Sequence, residues 1–168
     1  MLKPQDLLVT LRLALEPKDA KPTFTTLAAE LGMSSSEVHA SLKRAAESGL
    51  VQRESRSINR SNLLEFLLHG VRYAFPPERS GVTRGIPTSY AGPPLASRFA
   101  TGELPPVWPH PQGTVRGEGL VPLFRSVPEA ALRSPALYEW LALVDAVRAG
   151  RARERDMAAK ELTRRLGA

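Results

Sequence analysis

Apolar positions recur at helical spacing from the start of the chain. Leu7, Leu8, Leu11 and Leu15 follow Pro4, which a first helical turn tolerates, and Pro17 closes the segment. A second, short helix is expected over 24–31, between Thr23 as an N-cap and Gly32 as a terminator. Ser34 and Glu37 then stand at the capping-box spacing, in which each side chain satisfies a backbone donor of the other residue. That box starts a third helix over 35–48, stopped by Gly49. Asn59 and Ser61 are cap types ahead of a fourth helix over 62–69, with Leu63, Leu64, Leu67 and Leu68 as its apolar stripe.

The periodicity breaks off after residue 75. Eleven of the fifteen prolines fall between Pro76 and Pro128, so regular helices cannot run through this stretch. It still carries Tyr90, Leu95, Phe99, Trp108 and Phe124, more aromatic surface than disordered chains contain, which predicts irregular loops with short strands. Arg79, Arg84 and Arg98 lie there without an acidic neighbour from 79 to 102. They suit either a nucleic-acid backbone or carbonyl capping, with the aromatics wedged under helix 62–69. Gly113 to Gly119 looks like a phosphate loop only superficially, because it lacks the Gly-Lys-Ser/Thr ending. Helical signals resume at Val127-Pro128-Glu129, at Ser134-Pro135 and over about 152–166, where Met157, Ala158, Leu162 and Leu166 share a face. The resulting division is 1–75, 76–128 and 129–168. The expected fold is mainly α with a small β component: a modified winged helix-turn-helix, a proline-rich middle and a C-terminal helical hairpin.

Residues 27–44, Leu-Ala-Ala-Glu-Leu-Gly-Met-Ser-Ser-Ser-Glu-Val-His-Ala-Ser-Leu-Lys-Arg, read as helix, tight glycine-containing turn, helix, with small residues where the helices cross. Together with Gly49-Leu50-Val51 leading into a strand, they resemble the winged helix-turn-helix transcription regulators, the MarR-like group in particular, over about residues 5–54. The resemblance implies that the third helix enters the major groove of duplex DNA. On a helical wheel Val38, Leu42 and Ala45 form the inner side, while Ser36, Ala40, Lys43 and Glu47 lie opposite, with His39 and Arg44 at the edges. Ser35, Ser36 and Ala40 are small enough to let the helix axis approach base edges, and Lys43 and Arg44 suit phosphates. His39 reads either as a donor to base or phosphate or as a plain exposed histidine.

The wing departs from the family pattern. Gln52 to Arg60 supplies Arg53, Arg56 and Arg60 for phosphate contact but runs straight into the caps of helix 62–69. One reading therefore pairs a strand over 50–54 with residues 71–75 across that helix.

The net charge of +6 is spread evenly over the three segments, so DNA binding rests on the motif and not on bulk charge. The absence of cysteine excludes disulfides, thiolate metal sites and cysteine nucleophiles. No zinc helix, phosphate loop or nucleophile elbow is present, which argues against an enzyme, and no cofactor is implied. Polar residues interrupt the first apolar stretch and no window suits a membrane span, so a cytoplasmic protein without membrane contact is expected. The partners expected are double-stranded DNA and a second copy of the chain, through helix one and the C-terminal pair. An alternative is an antitoxin-like or adaptor protein that binds a partner protein through residues 79–168.

Overall fold

In the computed structural model, which describes residues 1–167, α1 (Pro4–Ala14) starts at its tolerated proline and runs through the middle of the chain's core. Leu7, Leu8, Val9 and Leu11 are all fully buried, which accounts for a helix with almost no polar face. These residues are therefore covered within one chain and are not open to a second copy. Thr23 accepts a hydrogen bond from the Thr26 amide to start α2 (Phe24–Leu31), and Gly32 ends it in the left-handed region at φ 62°. Ser34 and Glu37 close the expected capping box on α3 (Ser35–Glu47). Asn59 caps α4 (Arg60–His69) through the Asn62 amide.

Between α3 and α4 the chain makes a minimal wing. Val51 and Ile58 form an isolated antiparallel bridge, closed by bonds from the Gln52 amide to the Ser57 carbonyl and from the Arg56 amide to the Gln52 carbonyl. The pairing expected between 50–54 and 71–75 does not occur. Residues 71–75 begin instead with a short helix, α5 (Val71–Ala74), because the Tyr73, Ala74 and Phe75 amides bond locally to Gly70 and Val71 carbonyls. With its donors satisfied locally, this segment is not available as a strand.

The proline-rich middle folds into a small mixed sheet. Strand β1 (Arg79–Pro87) pairs antiparallel with both β2 (Pro106–Pro109) and β3 (Val115–Leu120), β2 and β3 run parallel, and the three strands close on themselves. Closure with three strands forces backbones together. A Cβ at Gly85 would lie 2.1 Å from the Trp108 carbonyl oxygen, and one at Gly117 would lie 2.0 Å from that of Pro105. The glycines of this region serve that close approach rather than a phosphate.

Three further helices complete the chain: α6 (Val127–Arg133), α7 (Pro135–Ala149) and α8 (Ala152–Leu166), the last two packed as a pair. A buried polar clasp fixes the sheet on α7. Thr88 Oγ1 and Trp108 Nε1 each donate to Asp145 Oδ2 at 2.7 Å, while Arg148 Nη1 donates to Asp145 Oδ1 at 2.7 Å. Arg148 also reaches the carbonyls of Phe75 and Pro76. Burial pushes the Asp145 carboxyl upward, and the Arg148 charge and the Thr88 and Trp108 donors pull the other way. Beside the clasp, Tyr138 donates to the Pro87 carbonyl, and burial pushes its hydroxyl up to about 12.

The aromatics of the middle do not lie under α4 as expected. Phe99 sits edge-on to Tyr90 and beneath the Arg153 guanidinium of α8, and it is Phe75 that meets Phe66 of α4. Arg79 does cap a carbonyl, that of Ala149 at the end of α7. One apolar cluster runs from Leu7 through Trp108 to Leu166 and so joins all three segments. No described helix is long and apolar enough to cross a membrane.

Candidate nucleic-acid interface

The turn between α2 and α3 is held from outside. Gly32 leaves room for Ser126, whose Cβ lies 3.2 Å from where a Cβ added at Gly32 would stand, and Arg125 Nη2 donates to Glu37 Oε1 at 3.1 Å. The Ser34 amide, with Arg125 second, holds the Glu37 carboxyl below the ordinary carboxylate range, so the cap of α3 stays charged. Nothing local in the sequence marks Arg125, which lies 88 residues further along the chain.

With its start fixed, α3 turns Val38, Leu42 and Ala45 into the core and leaves Ser35, Ser36, His39, Lys43 and Glu47 exposed, with Ala40 half-buried. The helical period divides the residues in just this way. The wing stands beside this face, and the two enclose a hollow of about 250 Å³. Leu42, Ala46 and Val51 form its apolar floor, and His39, Lys43, Arg53 and Arg56 surround it. Phe24, which the motif reading did not include, is the hub of the arrangement. The His39 ring meets it edge-on at 5.4 Å, and the Arg56 guanidinium lies over it, 5.1 Å from its centroid. As an aromatic first residue of a helix that turns Leu27, Ala28 and Leu31 inward, Phe24 was open to recognition from the sequence.

Arg56 takes up a left-handed backbone at φ 56°, a conformation that costs a non-glycine residue about 1 kcal/mol or more. Its contact with Phe24 and its bond from Nη1 to the Pro22 carbonyl, 3.3 Å, offset that cost and lock the wing against α2. Arg53, by contrast, is exposed near the wing tip.

Two of the expected cations are engaged elsewhere. The Arg44 guanidinium forks onto Asp6, with Nε to Oδ2 at 2.8 Å and Nη2 to Oδ1 at 2.7 Å. Asp6 is fully buried, also accepts from the Lys3 amide, and raises the Arg44 pKa chiefly through these hydrogen bonds. Arg44 thus ties α3 to α1, and its assignment to a phosphate is corrected. Arg60 points to the far end of the chain, with Nη1 3.4 Å from the Arg165 carbonyl of α8, and is not among the residues around the hollow. The candidate residues that remain on this side are Ser35, Ser36, His39, Ala40, Lys43, Arg53 and Arg56.

Among the described residues no group of three His, Asp or Glu side chains is placed to hold a metal ion. Comparison with protein-family models, with curated proteins and with solved structures finds no match to this chain.

Proposed function

We propose that the chain is a DNA-binding transcriptional regulator that places α3 in the major groove and its wing on the adjacent backbone. The observation that carries this reading is the convergence of His39, Lys43, Arg53 and Arg56, from a helix and a separate hairpin, on one open hollow beside the exposed face of α3. The major groove is wide enough to admit a helix whose outer residues are small, and Ser35, Ser36 and Ala40 meet that condition. Lys43 and Arg53 then supply phosphate contacts, His39 donates to a base edge or phosphate, and Glu47 can accept from a cytosine amino group. Because one such helix makes few base contacts, two copies on a two-fold operator supply the remaining affinity and register.

The alternative, an antitoxin-like or adaptor protein, requires residues 79–168 to bind a partner protein. Residues 79–120 form a closed sheet clasped to α7 and are not an extended segment free to lie along a partner, so the DNA-binding reading is preferred.

Fluorescence anisotropy with a labelled fragment of the region upstream of the coding sequence, against random duplex at two salt concentrations, tests the proposal. The expected result is sequence-selective, salt-dependent binding by a dimer on size exclusion. Equal weak binding to both duplexes, or none, overturns it.

A further inference from the structure

Strands β1 and β3 pair with Arg84 directly opposite Arg116, and both side chains are exposed. Residues opposite each other in an antiparallel pair share a face with Cβ atoms about 5 Å apart, where like charges weaken the pairing. Two residues along each strand, on the same face, Val82 stands opposite Glu118. Glu118 is the only acidic residue in the three strands, and its carboxylate is 3.5 Å from Arg79 Nη1. Among the described residues no carboxylate pairs with Arg84 or Arg116. The chain therefore carries an opposed pair of arginines that weakens its own sheet, a repulsion that a bound anion would relieve.

We propose that this face of the β1–β3 ribbon is a second phosphate-binding surface for duplex DNA, separate from α3. The proposal rests on the reading of the chain as a DNA-binding protein and adds a contact that the α3 face does not supply. Two guanidinium forks on neighbouring strands suit consecutive phosphates of one DNA strand, since each presents paired donors in a fixed plane. The face holds no aromatic side chain on which an unpaired base could stack; apart from the charged residues it offers only Val82, which is 48% exposed. A backbone contact to a duplex fits that composition, and capture of single-stranded nucleic acid does not.

The test measures binding of the full chain to a labelled random-sequence duplex of about 30 base pairs over a salt series. Arg84→Gln with Arg116→Gln is expected to reduce the slope of log affinity against log salt by about 2, close to 0.9 per lost phosphate. The same variant melts at an unchanged or higher temperature, because a like-charge pair has been removed, which a merely structural role would not give. Arg116→Glu goes further: it places opposite charges across the pair, raising the melting temperature while weakening binding. Lys43→Gln with Arg53→Gln, measured in parallel, reports on α3 separately.

An unchanged slope in the Arg84/Arg116 variant, with a lowered one in the Lys43/Arg53 variant, overturns the ribbon surface and leaves α3 standing. The reverse pattern upholds the ribbon and removes α3 from the interface. Salt-independent behaviour of the unaltered chain, or tighter binding to single-stranded RNA of the same length, overturns the assignment to duplex DNA.

Discussion

Lys43 and Arg44 are neighbours of the same charge, and the fold gives them opposite work. One helical step of about 100° turns Lys43 to solvent beside the wing and Arg44 inward onto the buried Asp6 carboxylate. Truncation should therefore separate binding from stability. Lys43→Ala is expected to lower the salt slope of duplex binding by about 1 while leaving the urea midpoint in place. Arg44→Ala leaves a carboxylate buried without its partner and is expected to cost about 3 kcal/mol of stability in urea unfolding, with the salt slope of the folded fraction unchanged. Equal effects of the two on binding, with no loss of stability, would put Arg44 back in the interface. The sequence could not distinguish them, because Asp6 lies 38 residues away and reads there as an ordinary first-turn acid. His39 was legible as exposed, but its partnership with Phe24 depends on where α2 meets α3.

The helices were legible because their signals are local. Thr23, Ser34, Asn59 and Ser134 each cap the helix that follows them, and Gly32 stands where a left-handed terminator is required. A cap needs only residues within one turn, so the sequence contains the whole cause. The sheet is different in kind. Its strands are short, one pairing is parallel, and closure depends on backbone meeting backbone at Gly85, Gly113 and Gly117 across long separations. Those glycines read only as loop punctuation until their neighbours are known. The same contrast gives a sharp prediction from two glycines of one strand. At Gly81 nothing lies within 4 Å of an added Cβ, whereas at Gly85 the Trp108 carbonyl oxygen is 2.1 Å away. Gly81→Ala should leave thermal stability nearly unaltered, while Gly85→Ala should cost about 3 kcal/mol through backbone overpacking and shift Trp108 emission to the red as its pocket opens. Similar melting temperatures for the two would show that the sheet is not closed at Gly85.

At the scale of the molecule, the segments suggested by composition share one core. Helices α1, α4 and α5 all pack on α7, and α4 also packs on α8. Arg133 donates to the Ala29 and Glu30 carbonyls at the end of α2, so α6 satisfies groups that the helix end leaves open. The α2–α3 turn itself rests on Ser126. A winged helix cut from this chain would therefore expose apolar faces that α6, α7 and α8 now cover, and it would lose the partner of the α3 cap. The full chain is expected to unfold in one transition, with far-ultraviolet circular dichroism and tryptophan fluorescence coincident, although both tryptophans, Trp108 and Trp140, lie outside residues 1–75. A fragment of residues 1–75 is expected to show no cooperative melt. Two separated transitions, or a cooperative fragment, would instead establish the winged helix as an independent domain. Under one transition, a core lesion away from both proposed DNA faces, such as Leu162→Ala in α8, is expected to lower duplex binding only by lowering the folded population, so affinity per folded molecule stays constant while total binding falls with stability.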